Sequence, residues 1–122
     1  MRLIVCFLLT LIGSPAWAGW VKVGEIAFYV DVDTIQVNGD IRRVWELQDL
    51  KAGDSTAALS RRIWVEYDCK AGRRRLLSLT AHSGPMANGS VLVTLNRTSE
   101  WDFITSGATA SAPLKFVCSW KP

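Results

Sequence analysis

The chain has 122 residues, of which 49% are apolar, with 14 Lys and Arg against 11 Asp and Glu. That length supports one domain with its own core and argues against two. A formal net charge of +3 is too mild for a dedicated nucleic-acid binder, so nucleic acid is not an expected partner.

The first residues decide the expected compartment. Met1-Arg2 is a short basic start, Leu3–Ile12 is nearly all apolar, and Ala16-Trp17-Ala18 has the small-x-small form of a cleavage site. Residues 1–18 therefore read as a secretory signal peptide, since about 10 apolar residues cover only half a bilayer. Cleavage after Ala18 leaves residues 19–122 as the mature domain, beginning at Gly19. Cys6 lies too early for a lipoprotein anchor and lacks the small residues that would precede one, so no stable membrane anchor is expected. The predicted location is the periplasm, or the medium and cell surface.

Without Cys6, two cysteines enter an oxidising compartment, Cys69 and Cys118. Two exported cysteines with no leftover thiol read as one disulfide. Closing a loop of roughly 50 residues stabilises a fold by about 4 kcal/mol in the chain-entropy view. A redox or metal-binding pair would need CxxC-type spacing, which is absent. No metal site and no cofactor are expected.

In chain order, Trp20–Val23 is a short apolar segment ended by Gly24. Ile26–Val32 alternates, with Phe28, Val30 and Val32 on one side, and reads as a strand. Asn38-Gly39 is a strong hairpin signal, with both residues expected in the turn. Its partner strand is Ile41–Leu50, where Val44 and Glu46 oppose Trp45 and Leu47. Lys51–Ser60 is small and polar and reads as a loop. Next come two strands joined at Lys70-Ala71-Gly72. In the first, Ile63, Val65, Tyr67 and Cys69 face inward, opposite Arg62, Trp64, Glu66 and Asp68. In the second, which begins at Arg73–Arg75, Leu77, Leu79 and Ala81 form one face. His82–Ser90 holds Gly84-Pro85 and Asn88-Gly89 and reads as a turn. Val91–Leu95 and Trp101–Thr105 are further strands. The tail is ambiguous: Leu114, Phe116, Cys118 and Trp120 alternate like a strand. Against that, Ser111-Ala112-Pro113 resembles a helix start with proline in its first turn. The helix over 111–119 is preferred. The expected fold is mainly β (α+β): an antiparallel sheet of about six strands, with a short C-terminal helix tied to it by the Cys69–Cys118 disulfide.

Several motifs stand in an ordered set: Tyr29-Val30-Asp31, Trp45-Glu-Leu-Gln-Asp, Arg62 leading into Glu66-Tyr67-Asp68-Cys69, and Arg73-x-Arg75-x-Leu77. Met86-x-x-Gly89, Glu100-Trp101, Ser106-Gly107 and Val117-Cys118 continue it. Taken together this set resembles the surface-adhesin E family of small exported bacterial proteins, over nearly the whole mature chain. The resemblance implies an antiparallel sheet, a C-terminal helix held by the disulfide, and pairing into homodimers. It also implies attachment to host matrix glycoproteins. The chain departs from the pattern at Ser106, where proline is usual, and at Pro113 within the expected helix.

An enzyme needs converging reactive groups, and few exist. His82 is the only histidine. Ser83, His82 and Asp102 can be drawn as a triad, but no nucleophile-elbow sequence supports it, and an exposed turn histidine is the expectation. Asp31, Asp33 and Asp40 lack the spacing of a calcium loop and read as solvated carboxylates or partners for an arginine. No catalytic residue is assigned. The arginines come closer to a binding signal. On paired strands Arg62 and one of Arg73 or Arg75 could lie side by side on the outer face, the side of Trp64, and could grip sulfated glycans, lipid phosphates or acidic protein loops. The plainer expectation is that Glu46, Glu66, Asp68 and Asp49 neutralise the arginines across strands. For Trp64, packing under a covering element such as the helix is the first expectation, and a dimer contact or a ligand the others. The candidate binding residues are thus Arg62, Trp64, Arg73 and Arg75. The expected function is an exported, non-enzymatic binding protein that recognises a host or envelope macromolecule, a protein or an anionic glycan. The alternatives are a periplasmic envelope component and a small hydrolase using His82.

Overall fold

The computed structural model describes residues 19–24, 27–50 and 57–122. The expected leader, the first residue of the Ile26–Val32 segment and most of the Lys51–Ser60 loop lie outside them. Eight strands and one α-helix are seen among the described residues: β1 (Trp20–Lys22), β2 (Phe28–Asp31), β3 (Gln36–Asn38), β4 (Ile41–Asp49), β5 (Ser60–Asp68), β6 (Arg73–His82), β7 (Val91–Leu95), β8 (Asp102–Phe103) and α1 (Ser111–Ser119). All pairings are antiparallel, and the main path has six strands in the order β1-β2-β4-β5-β6-β7. The short strands β3 and β8 add to β4 and β6 at the sides. A 3-10 turn at Val32–Thr34 separates β2 from β3, capped by the Asp31 side chain, which accepts from the Asp33 N–H.

The sheet has two unlike faces. On one, Val30, Val44, Ile63, Val65 and Tyr67 form the core, and α1 covers them with Val117, Leu114 and Cys118. The helix is therefore the correct reading of the tail. Pro113 is the third residue of α1, where a helix makes no use of a backbone N–H, so it is buried without a lost bond. Cys69 and Cys118 are bonded with their α-carbons 5.7 Å apart, fastening α1 to the end of β5. At the same, C-terminal end of the helix the Arg42 guanidinium, from β4, donates to the carbonyls of Val117 (2.7 Å) and Trp120. That side chain supplies the cation that the end of a helix favours.

Three expectations need correction. The hairpin turn sits one residue later than Asn38-Gly39. Asn38 pairs with Ile41, and only Gly39 of the turn takes a positive φ, 60°. The strand expected over Trp101–Thr105 is reduced to Asp102–Phe103, pairing with Arg74 and Arg73. The third matters most. Trp64 pairs with Ser78 and Val65 with Leu76, so Leu77 is an extra residue in a β-bulge. Leu76, not Leu77, joins Leu79 against the core. Because a shift of one residue swaps faces, the bulge also decides where the three consecutive arginines go. Arg74, opposite Tyr67, turns toward the covered face, while Arg73 and Arg75 share the other with Asp68 and Glu66.

Candidate functional site

On the face away from α1, β4 and β5 run side by side, and Trp45 pairs directly with Trp64. Their ring centroids are 5.2 Å apart, tilted by 40°. The Arg62 guanidinium carbon sits over Trp45, 3.8 Å from the ring centre, a cation–π contact. Trp64 is thus not under the helix, which covers the opposite face. What it packs against is another tryptophan.

Toward the Asp68 end the face becomes a charge lattice. Glu66 is nearly buried and accepts from Arg43 Nε (2.7 Å) and from Arg75 (Nη2 2.8 Å). Asp68 accepts from Arg73 Nε at 3.0 Å. Trp101 lies between the last two arginines, with guanidinium carbons 4.4 Å (Arg73) and 4.3 Å (Arg75) from its ring centre. Arg43, Glu66, Arg75 and Trp101, together with Asn38, line an open cleft of about 420 Å³. The expected neutralisation across strands is therefore real for Glu66, Asp68 and Glu46. Asp49 instead accepts from the Met86 N–H (3.1 Å).

The other end is built by the turn after β6. Ser60 is fully buried, donating to the Gly84 carbonyl (2.7 Å) and accepting from the Ala87 N–H (2.9 Å). These bonds hold Met86 and Ala87 at φ 54° and 60°, a conformation non-glycine residues seldom take. Trp20, Asp31, Arg62, His82, Met86 and Asn88 line a second open cleft of about 380 Å³. Arg62 differs from its neighbours here. Among the described residues Arg43, Arg73, Arg74 and Arg75 each hold a carboxylate, while Arg62 has its stacked ring and only the more distant field of Asp31. Partial burial lowers its pKa, and Asp31 offsets part of that.

His82 corrects an expectation. It is not an exposed turn residue but the buried end of β6, with Nε2 2.8 Å from the Thr80 hydroxyl and no partner for Nδ1. Burial, reinforced by the Arg62 charge, lowers its pKa and favours the neutral ring. No triad forms around it. Ser83 Oγ is engaged by the Ser90 N–H (2.8 Å), and Asp102 pairs with Arg74, eight residues back along β6 or roughly 26 Å away. Among the described residues no group of three or more His, Cys, Asp or Glu could hold a metal, and no helix is long and apolar enough to cross a membrane.

All four candidate binding residues, Arg62, Trp64, Arg73 and Arg75, therefore stand on one face. Alternation in β5 puts Arg62 and Trp64 together, and the bulge in β6 brings Arg73 and Arg75 to the same side. Trp45 was legible as the cross-strand partner only once register was known, and Trp101 reaches the face from an irregular segment that no periodicity marks. The profile of the family described as Surface-adhesin protein E matches residues 20–119. The chain belongs to that family. Among solved structures it is similar to Haemophilus influenzae protein E. Crystal form II of that protein has a TM-score of 0.70 at 14% identity, covering 83% of this chain and 87% of that one. A structure from non-typeable Haemophilus influenzae has a TM-score of 0.66 at 14% identity, covering 87% of this chain and 79% of that one. At such identity the likeness is one of fold. No curated protein sequence matches the chain. It is, then, a surface adhesin-type protein by family, with an antiparallel sheet and a disulfide-tied C-terminal helix.

Proposed function

We propose that the chain is an exported, non-enzymatic recognition protein, and that the sheet face opposite α1 is where it holds a protein or an anionic glycan. The observation that carries this reading is the side on which the helix lies. With α1 committed to the Val44/Val65/Tyr67 face, Trp45, Trp64 and Trp101 stay uncovered by it, interleaved with Arg62, Arg73 and Arg75. Tryptophan and arginine together are the residues most enriched where macromolecular contacts carry binding energy. Arg62 adds a guanidinium that, among the described residues, feels the field of Asp31 but forms no salt bridge.

The test is attachment of beads coated with mature protein to surfaces bearing a sulfated glycan or a host matrix protein. Arg62→Glu combined with Trp64→Ala should abolish it, with circular dichroism and melting temperature close to the natural protein. Undiminished attachment by that folded variant would remove the face from consideration. Protease shaving of intact cells should release the protein. Protection would instead place it in the periplasm as an envelope component. Pairing of copies is part of the same reading and is supported by β7. This strand ends the main path and exposes Val91, Leu92 and Leu95 at 55%, 43% and 53%. Sedimentation at tens of micromolar should show a dimer.

A further inference from the structure

We propose that removal of the leader after Ala18 delivers the new α-ammonium group of Gly19 to a seat between the carboxylates of Asp31 and Asp33, and so fastens β1 to the sheet. Two independent observations meet at this residue. The small-x-small pattern at Ala16–Ala18 makes Gly19 the first residue of the mature chain. In the fold, Gly19 already lies in register beside β2, its carbonyl accepting from the Val32 N–H at 2.9 Å.

The geometry around its α-carbon is unusual. A side-chain carbon built on Gly19 would sit 2.6 Å from Asp31 Oδ1 and 2.7 Å from Asp33 Oδ2. No carbon tolerates that. For a charged nitrogen donating to carboxylate oxygens, however, such spacing is at or just under the normal range of about 2.7–2.9 Å. In glycine the amine nitrogen and the two hydrogens are spaced about a third of a turn apart around the Cα–C bond. While residue 18 is attached, the nitrogen is tied to the incoming chain at φ +94°. Once that bond is cut, a third of a turn about the Cα–C bond carries the nitrogen to the position the carbon could not occupy. Cleavage thus creates a positive charge where the carboxylates of Asp31 and Asp33 converge.

The charges facing the seat are consistent with this. Among the described residues Asp31 and Asp33 have no ion-pair partner, although Asp31 feels Arg62 from β5 and Lys22 lies farther along β1. Burial raises the Asp31 pKa, the Asp33 N–H bond lowers it, and the neighbouring Asp33 charge adds to the rise. An ammonium group there relieves the repulsion between the two carboxylates. It also offsets the Asp31 charge beside Arg62, leaving that guanidinium freer to take an external anion. The inference rests on cleavage after Ala18 and not on what the open face binds, so each can fail alone.

The test uses processed protein recovered from the exporting cell. Its intact mass should place the start at Gly19. A pH titration followed at the Gly19 α-carbon by NMR should give an α-amine pKa at least about one unit above the ordinary 7.7–8.0. Asp33→Asn should bring that value down while leaving the Asp31 cap of the 3-10 turn in place. Should that variant fold poorly, a protein with one alanine added before Gly19 serves instead, and its unfolding midpoint should fall below that of the natural chain. A mature chain starting elsewhere would overturn the proposal. So would an α-amine of the folded natural protein titrating in the ordinary range.

Discussion

The two faces of the sheet use the same chemistry in different solvents. Under α1, Glu46 is completely buried, accepting from the Tyr67 hydroxyl and from Arg74 Nη2 at 2.9 Å. On the other face Glu66 is held by Arg43 and Arg75, whose side chains remain 49% and 31% exposed. The covered cluster shares its face with Val44, Ile63 and Val65, and its Arg74 and Glu46 side chains are only 12% and 0% exposed. The arginines of the open cluster can exchange their carboxylate for water or for an incoming anion. What separates a structural ion pair from an available one here is the side of the sheet, and the Leu77 bulge assigns Arg74 to one side and Arg73 and Arg75 to the other.

The strongest way to test the contrast is to unfasten the cover. Cys118→Ser should destabilise the protein by about 4 kcal/mol in urea unfolding, since it removes the link across a 49-residue separation. Next, Arg74→Met should cost about 3 kcal/mol, the low end for breaking a buried pair, because Glu46 keeps its burial and loses its cation. A third expectation concerns pH. Burial pushes the Glu46 carboxyl up from 4.5 to about 7, against the pull of Arg74 and the Tyr67 hydroxyl. The native state therefore holds this proton after the unfolded chain has released it. The stability this contributes is full below about pH 4.5 and is lost as pH rises through about 7. The melting temperature should fall across that window, and Glu46→Gln should flatten the fall. The smallest effect belongs to the open face: Arg43→Gln should cost less than about 1 kcal/mol, as exposed pairs do. A loss at Arg43 equal to that at Arg74 would erase the distinction between the faces.

Much of this was legible in the residues themselves. Alternation in β5 put Cys69 on the inward face with Tyr67, and Arg62 and Trp64 on the outward one. Ser111-Ala112-Pro113 marked the helix, since proline is free to occupy its first turn. The bulge was hidden because Leu76 and Leu77 are both leucine, so either phase of alternation through β6 reads equally well. The turn slipped by one because Gly39-Asp40 serves as readily as Asn38-Gly39. The burial of His82 has no local signature, because residues 83–89 fold back onto Ser60 beside it. Glu46 had been grouped with Val44, and a carboxylate on an apolar face signals a buried partner. That Arg74 is the partner required the bulge. The Arg42 cap on α1 spans 75 residues, beyond any local pattern.

The most direct measurement is hydroxyl-radical footprinting of the mature protein, free and attached to the glycan- or matrix-coated surface that retains it. Trp45, Trp64 and Trp101 should become protected on attachment, while Leu114, Phe116 and Trp120 on and beside α1 keep their free-state reactivity. Protection confined to the helix side, with the three sheet tryptophans unchanged, would contradict the assignment of recognition to the open face.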